Sequence, residues 1–365
     1  MAASRAAAGD TNWAGVTFRL SRFSQAYRQR LIDGIGDLHR FCVLKFGIGL
    51  TKVTLRAKTA DRVVAEYVMC RFGEKKGTKL SLVKHALLGV QHAFPHLRGH
   101  LNVSWANLKT WEEQRLAKLR PPLPVPLWLL AIGLARAHSK IDNSRTQSER
   151  WLIFSILLEI GLLCMLRPGE LQKLTHADVA MPGTFVMSKA HAALKITSPK
   201  NRRQFGEFQF VLLRHPNAIS WLAKIHQEGS DKPIWNGSSR EFSDKFRQMM
   251  KELGLSGLGF TPGSLRAGGA TMFFNRNTPI SSLRFMGRWA AEKSLEHYIQ
   301  LAMSTQIMNR LTPSVITRLQ KLSPLCLSHV RSCSLHVGQV IEPPPAKGAS
   351  PRDIVHWCDR YTELA

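Results

Sequence analysis

Two arginines, one tryptophan and one tyrosine in the second half of the chain have the types and the spacing to do chemistry together. Arg167 lies in the segment LRPGEL, Arg266 lies 99 residues later in SLRAGGAT, and Tyr298 follows after a further 32, nine residues beyond Trp289. A guanidinium is planar, permanently charged and able to donate two hydrogen bonds to one oxyanion. A phenol becomes a nucleophile when nearby cations stabilise its phenolate. Together these groups are the parts needed to break a phosphodiester bond through a covalent phosphotyrosine.

The charge of the chain favours the same substrate. The 365 residues include 51 basic and 25 acidic side chains, a net charge of +26, and half of that excess lies in residues 1–120. An excess of this size predicts a polyanionic partner, and nucleic acid is the usual one. The hydrophobic content of 44% and the nine tryptophans argue against a small ribosomal or chromatin protein, and indicate a packed enzyme-like body.

Two other classes receive little support from the sequence. The most apolar run, Trp151 to Leu166, is interrupted by Glu159 and is too short to span a bilayer, so we interpret it as a buried helix and predict no membrane contact. The six cysteines are scattered and form no disulfide framework, which is typical of a reducing compartment. The Ala-, Ser- and Arg-rich beginning of the chain leaves organelle targeting open.

The pattern along the chain predicts a mainly α protein with a small antiparallel β-sheet. Apolar residues at helical spacing mark the segment before residue 119, four prolines between 121 and 126 mark a connector, and the alternating segment FGEFQFVLL predicts a strand. Phe185–Met187 is a further strand candidate. The predicted divisions are a basic lead-in of uncertain order, a helical domain, a Pro-rich linker, a larger mixed domain and a tail, at residues 1–55, 56–119, 120–128, 129–320 and 321–365.

These motifs resemble the tyrosine recombinases, the phage integrase family, over about residues 60–315. The resemblance implies a helical, SAM-like core-binding domain followed by a catalytic domain, which together clamp double-stranded DNA. It further implies an origin in a mobile element and a homotetramer on DNA, in which the segment LTPSVITRLQKL packs on a neighbouring subunit. The chemistry that it implies requires neither a metal nor another cofactor, and the location would be nuclear in a eukaryote and cytoplasmic otherwise.

The resemblance also assigns a role to each site residue. Arg167 and Arg266 would bind the scissile phosphate, Trp289 would donate its indole N–H to the same group, and Tyr298 would be the nucleophile. Glu170 is expected to orient Arg167.

Proton transfer to the leaving group is assigned to a lysine on a hairpin between the two arginine motifs. Lys200, in SPKNRR, would protonate the 5′ oxygen, with Lys195 and Lys189 as alternatives. Contacts to backbone phosphates are expected from a further set of basic side chains, Arg202, Arg203, Lys75, Lys76, Lys79 and Lys84.

One position departs from the pattern of the family. Three residues before Arg266, where the family has His or Lys, this chain has Gly263, so a base or a phosphate donor is missing or is replaced by water. Such groups contribute typically 10²–10⁴-fold to a rate. A decayed recombinase that only binds DNA is therefore one alternative, and a type IB topoisomerase-like enzyme is another. A metal-dependent nuclease would need a carboxylate cluster that the sequence lacks.

Overall fold

The computed structural model describes residues 18–74, 79–114, 120–183, 191–197, 199 and 206–330. The chain divides into two compact units, residues 1–118 and residues 119–365. Helices make up most of both units, and the sheet in the described part of the chain has three antiparallel strands. The predicted fold class, mainly α with a small antiparallel sheet, is confirmed.

The first unit is a bundle of helices. Its members are α1 (Gln25–Phe46), α2 (Leu50–Thr54), α3 (Ala57–Gly73), α4 (Leu80–Ala93) and α5 (Asn102–Gln114). Helices α1 and α4 lie close together because glycines stand at their contact: a Cβ at Gly34 would lie 2.5 Å from the Ala86 nitrogen, and one at Gly89 would lie 2.7 Å from Ile35. Helix α1 falls within residues 1–55, which the sequence marks only as a lead-in.

A buried carboxylate ties α1 to α3. Asp37 accepts a hydrogen bond of 2.8 Å from the Tyr67 hydroxyl and two of 3.0 Å from the guanidinium of Arg71. Burial, and then the hydrogen bond to Asp37, raises the pKa of Tyr67 far above its ordinary value. This phenol is therefore a structural group.

The second unit is built on one helix that is buried around most of its circumference. The helices of the unit are α6 (Val125–Ile141), α7 (Arg145–Leu163), α8 (Pro168–Leu171), α9 (Pro216–Ala223), α10 (Ser239–Glu252), α11 (Ser264–Asn275), α12 (Ile280–Met286), α13 (Glu292–Glu296), α14 (Leu301–Asn309) and α15 (Pro313–Val330). Helix α7 is buried from Ile153 to Leu163, as the apolar run in the sequence predicts. Helix α6 begins inside the Pro-rich range 120–128, because prolines are tolerated in the first turn of a helix.

Helix α15 packs on α6 of the same chain. Leu319, Cys326 and Leu327 are buried there, and a Cβ at Gly133 of α6 would overlap the main-chain oxygen of Cys326. Leu319 belongs to the segment LTPSVITRLQKL, and its packing on a neighbouring subunit stays a prediction.

The sheet lies against the end of α7. Its strands are β1 (Val179–Ala180), β2 (Ala192–Ile196) and β3 (Gln209–Leu213), in the order β1-β2-β3. Leu194 of β2 pairs with Val179 on one side and with Val211 on the other. The candidate strand Phe185–Met187 lies outside the described residues. Among the described helices, none has the length and apolar character required to cross a membrane.

Candidate active site

Helix α11 carries Arg266 into the centre of the second unit. The α11 backbone approaches the end of α7 and the connector closely, because Gly268 and Gly269 have no side chains: a Cβ at Gly268 would lie 2.5 Å from the Leu123 oxygen, and one at Gly269 would overlap the Leu162 oxygen. Arg266 is consequently only 2% exposed. The sequence RAGGAT thus buries a guanidinium by bringing small residues against two main-chain segments.

Arg266 is held by two main-chain carbonyl groups. Its Nη1 donates to the Met165 oxygen, and its Nη2 donates to the Gly287 oxygen at 2.6 Å. Met165 has a φ of 48°, and Arg288, which follows Gly287, has a φ of 57°. Left-handed backbone is costly for residues other than glycine, and such strain clusters at functional sites. The backbone is therefore left-handed at, or directly next to, both carbonyl groups that accept hydrogen bonds from Arg266.

Glu170 joins two further arginines. Its carboxylate accepts hydrogen bonds from the Arg167 main-chain N–H at 3.0 Å, from Arg167 Nη1 at 2.6 Å and from Arg288 Nη2 at 2.7 Å. Arg167 lies at the N-cap of the short helix α8, and Glu170 lies in its first turn. The side chain of Glu170 is 4% exposed and that of Arg288 is 6% exposed. One buried carboxylate therefore fixes two guanidinium groups.

Trp289 and Tyr298 pack together beside Arg266. Their ring centroids are 5.3 Å apart, and the Arg266 guanidinium carbon lies 4.2 Å from the Trp289 ring and 5.4 Å from the Tyr298 ring. Trp289 is 5% exposed, whereas Tyr298 is partly exposed. In the described part of the chain, no hydrogen bond is made by the Tyr298 hydroxyl. The phenol is thus held by its ring and its backbone, and its oxygen is available.

Thr271 fixes the backbone of the tyrosine to α11. Its hydroxyl donates to the Tyr298 carbonyl oxygen at 3.1 Å and accepts from the Gln300 N–H at 3.2 Å. The Tyr298 N–H donates to the Leu295 oxygen at 2.7 Å, which continues the last turn of α13. Arg266 and Thr271 lie on the same helix, so α11 positions both the central guanidinium and the phenol.

Positive charge predominates in the site. Burial would raise the pKa of Glu170, but Arg288 and the charge and N–H groups of Arg167 outweigh it, and the pKa is lowered. Burial, and then the charges of Arg167 and Arg288, lowers the pKa of Arg266 below its ordinary value. An arginine stays protonated in a protein. Three guanidinium groups therefore share one carboxylate, which leaves two positive charges for an anion to neutralise.

Four buried donor nitrogens of the site have no partner among the described residues. They are Arg266 Nε, Arg288 Nε, Arg288 Nη1 and Trp289 Nε1. Buried donors are rarely left without an acceptor, and a site with several of them calls for a ligand or ordered water. Because these donors come from a cationic cluster, the group that suits them best is an oxyanion.

The structure brings together most of the residues that the sequence marks. Arg167, Glu170, Arg266, Trp289 and Tyr298 all belong to this one cluster.

The proposed proton donor and four of the phosphate-contact residues lie outside the described residues. These are Lys200, Arg202, Arg203, Lys75 and Lys76, and the alternative Lys189 is outside them as well. Lys195, on β2, lies over the Phe208 ring at 4.0 Å and lines a narrow cavity together with Glu170. Lys79 is exposed before α4, and Lys84 pairs with Glu112 at 2.6 Å.

Two residues of the site are not marked by the sequence. Arg288 precedes Trp289 directly, and its position between glycine and tryptophan is the one signal that could have marked it. Thr271 lies five residues after Arg266, and its role depends on a contact across 27 residues. Gly263 lies at the N-cap of α11, one turn before Arg266, as its place in the sequence predicts.

No family model matches the chain, and no curated protein matches it. Among solved structures, the chain is similar to the XerH site-specific recombinase bound to difH substrate in a pre-cleavage complex, with 12% identity, coverage of 82% of this chain and 94% of that chain, and a TM-score of 0.44. The post-cleavage complex of XerH with palindromic difH has 13% identity, coverage of 81% of this chain and 92% of that chain, and a TM-score of 0.43. XerA recombinase has 14% identity, coverage of 83% of this chain and 100% of that chain, and a TM-score of 0.38. All three of these solved structures are of recombinases.

Proposed function

We propose that this protein breaks and rejoins DNA strands through a covalent 3′-phosphotyrosine on Tyr298. The observation that carries the proposal is the set of four buried, unpartnered donors on Arg266, Arg288 and Trp289 beside an available phenol. A phosphodiester in its five-coordinate state carries additional negative charge on its non-bridging oxygens, and fixed donors aimed at that charge are the main source of stabilisation in such reactions.

The proposed reaction uses Tyr298 as the nucleophile and Lys200 as the proton donor. The Tyr298 oxygen attacks phosphorus, the bond from phosphorus to the 5′ oxygen breaks, and the phenol proton passes to solvent. Lys200 supplies the proton that the 5′ oxygen takes up as it leaves. The aryl phosphate keeps the energy of the broken bond, so attack by a 5′ hydroxyl reseals the strand and releases the tyrosine. No metal and no nucleotide is consumed.

DNA is the substrate that best fits the charge of the chain. The net charge of +26 is spread over both units, and a phosphate polymer neutralises such a surface with release of counterions. We further propose that the chain acts as a homotetramer on DNA, because strand exchange brings two duplexes together. Integration, excision and inversion use the same chemistry.

A pool of nicked duplexes with randomised sequence tests the proposal, because such a pool requires no defined target site. Cleavage close to the nick releases a short fragment, which prevents resealing and traps the covalent complex. The expected product is an SDS-resistant adduct on a 3′ end, whose peptide maps to Tyr298. Tyr298→Phe should abolish the adduct. Tyr27→Phe is the matched control, because Tyr27 is a partly buried tyrosine of the first unit packed on Phe23, and it should leave the adduct unchanged.

Two outcomes would support other functions. Salt-sensitive DNA binding without an adduct on any duplex in the pool would favour a decayed recombinase that acts only as a DNA-binding protein. Relaxation of supercoiled plasmid by a single chain, without exchange between two duplexes, would favour the type IB topoisomerase-like reaction. An adduct that persists in Tyr298→Phe would contradict the assignment of the nucleophile.

A further inference from the structure

The space above Gly263 is filled by the side chain of Arg120. A Cβ at Gly263 would lie 2.9 Å from Arg120 Nη1 and 3.3 Å from Arg120 Cδ. The guanidinium therefore occupies the direction that a side chain at position 263 would take. Gly263 has no base or donor of its own, and its missing side chain is what makes room for this arginine.

The connector before α6 places Arg120 there. The Leu123 N–H donates to the Ser264 oxygen at 3.2 Å, and the Leu123 oxygen lies against Gly268 of α11. Pro121 and Pro122 stand between Arg120 and this anchor, and proline fixes the φ angle of the chain. Arg120 is thus tied to the beginning of α11 by a short connector with little conformational freedom.

The described residues around Arg120 offer it no counter-charge. In the described part of the chain, Arg120 makes no hydrogen bond or ion pair, and its side chain is exposed. It stands at the amino end of α11, where the helix dipole disfavours a cation. Arg266 lies one turn further along the same helix. A guanidinium at this place is favourable when an anion lies between it and the helix end.

We propose that Arg120 donates to the scissile phosphate in place of the side chain that position 263 lacks. This inference rests on the proposed phosphodiester cleavage. The substitution restores a positive charge and a hydrogen-bond donor, and it restores no base, because an arginine does not lose its proton. The site would therefore bind and stabilise the phosphate fully, while the phenol proton leaves to water.

Anion binding tests the inference independently of catalysis. Inorganic sulfate should raise the melting temperature of the wild-type protein, and Arg120→Ala should weaken sulfate binding by about tenfold or more, since a hydrogen bond to a charged group is lost. Arg240→Ala is the matched control, because Arg240 is an exposed arginine of the same unit with only a 3.8 Å contact to Asp244. Equal sulfate affinity in wild type and Arg120→Ala overturns the inference.

Gly263→Ala gives a sharper test. The backbone at Gly263 is ordinary right-handed helix, with a φ of −67°, so alanine fits it without strain. The added methyl group would displace the flexible end of Arg120 and little else. We expect unchanged or slightly higher stability together with a loss of adduct formation equal to that of Arg120→Ala, and no further loss in the double variant. Additive losses in the double variant contradict the shared role.

Gly263→His tests whether the site lacks a positive charge or a base at this position. Gly263→His in the wild-type background competes with Arg120 for one space and should give little or no increase in rate. In the Arg120→Ala background it should restore cleavage and introduce a pH dependence near the ordinary histidine pKa of about 6.5. Adduct formation by wild type, with Arg120→Ala cleaving at the same rate, would leave the proposed function standing and sink this inference. Absence of an adduct, with sulfate binding lost in Arg120→Ala, would do the reverse.

Discussion

A comparison of Arg288→Gly with Arg288→Ala would separate two contributions to stability. One is the ion pair of Arg288 with Glu170, and the other is the strain of the left-handed backbone at position 288. Arg288 Nη2 lies 2.7 Å from Glu170 Oε2, with side chains 6% and 4% exposed. Removing one member of such a pair costs about 3–5 kcal/mol. Glu170 keeps its bonds to Arg167, and Arg266 loses a like-charged neighbour, so the lower figure of about 3 kcal/mol is the one that applies here.

Relief of backbone strain raises the free energy of unfolding of the glycine variant and leaves that of the alanine variant unchanged. Arg288 has a φ of 57°, which costs a side chain with a Cβ roughly 1–2 kcal/mol and costs glycine nothing. Arg288→Ala loses the ion pair and keeps the strain, so its free energy of unfolding should fall by about 3 kcal/mol. Arg288→Gly loses the pair and relieves about 1 kcal/mol of strain, so it should fall by about 2 kcal/mol. Arg288→Ala should therefore be the less stable of the two variants.

Urea unfolding at neutral pH, followed by circular dichroism, measures both differences through the shift of the midpoint at constant slope. Arg150→Ala is the matched control: its pair with Glu241 has a similar N–O distance of 2.9 Å, but its side chains are 25% and 26% exposed. A pair with that exposure contributes about 1 kcal/mol or less.

Either of two results would refute the reasoning about Arg288. Stability of Arg288→Gly at or above that of wild type would mean that the pair with Glu170 contributes no more than the strain that glycine relieves, about 1 kcal/mol. Equal stability of the alanine and glycine variants would mean that the left-handed backbone stores no strain. Sulfate should not narrow the difference between wild type and either variant, because Arg288 itself supplies two of the donors that an anion would use.

Three further predictions concern other parts of the second unit. The pKa of Glu170 is lowered in the folded state, so its stabilising contribution is present above the unfolded value of about 4.3 and is lost as pH falls through the folded pKa; the gap between wild type and Glu170→Gln in urea should close in acid, and a gap independent of pH would contradict it. Gly133→Ala would drive a methyl group into Cys326 and expose α15. We expect a loss of about 3 kcal/mol or more and rapid proteolysis after Asn309, and resistance equal to wild type would refute the packing. Thr271→Val keeps the shape and removes the hydroxyl that holds Tyr298, so adduct formation should fall by about tenfold with a loss of stability of about 1–3 kcal/mol, whereas an unchanged rate would show that the tyrosine needs no such support.

The sequence was most informative where residue type and spacing carried the signal. Arg167, Arg266, Trp289 and Tyr298 were marked by their motifs, and they meet in one cluster. The buried helix α7 followed from its apolar run. The apolar run is a local signal, whereas the site residues were marked by short motifs that lie 99 and 32 residues apart.

The features that escaped prediction depend on distant contacts or on backbone geometry. Arg288 finds its carboxylate partner 118 residues away, and no pattern in the sequence predicts that its φ is positive. Helix α1 has low mean hydropathy and carries Gly34 and Gly36 in its middle, so its pattern is weak until α4 covers it. The occupation of the space above Gly263 by Arg120 joins residues on two separate segments, which spacing alone does not reveal.

The two hydrogen bonds from Arg266 to main-chain carbonyl groups affect how an arginine at this position should be interpreted in related sequences. Its guanidinium joins the end of α7 to the turn after α12, so this arginine stabilises the second unit independently of any reaction. A chain that had lost strand cleavage, but was still selected as a folded DNA-binding protein, would keep Arg266 for that reason alone. Tyr298 offers its oxygen to nothing in the described part of the chain, and a domain without catalysis has no use for its hydroxyl. In a survey of related genes, therefore, a phenylalanine at the position of Tyr298 would date the loss of the reaction, and the arginine would record only the survival of the fold.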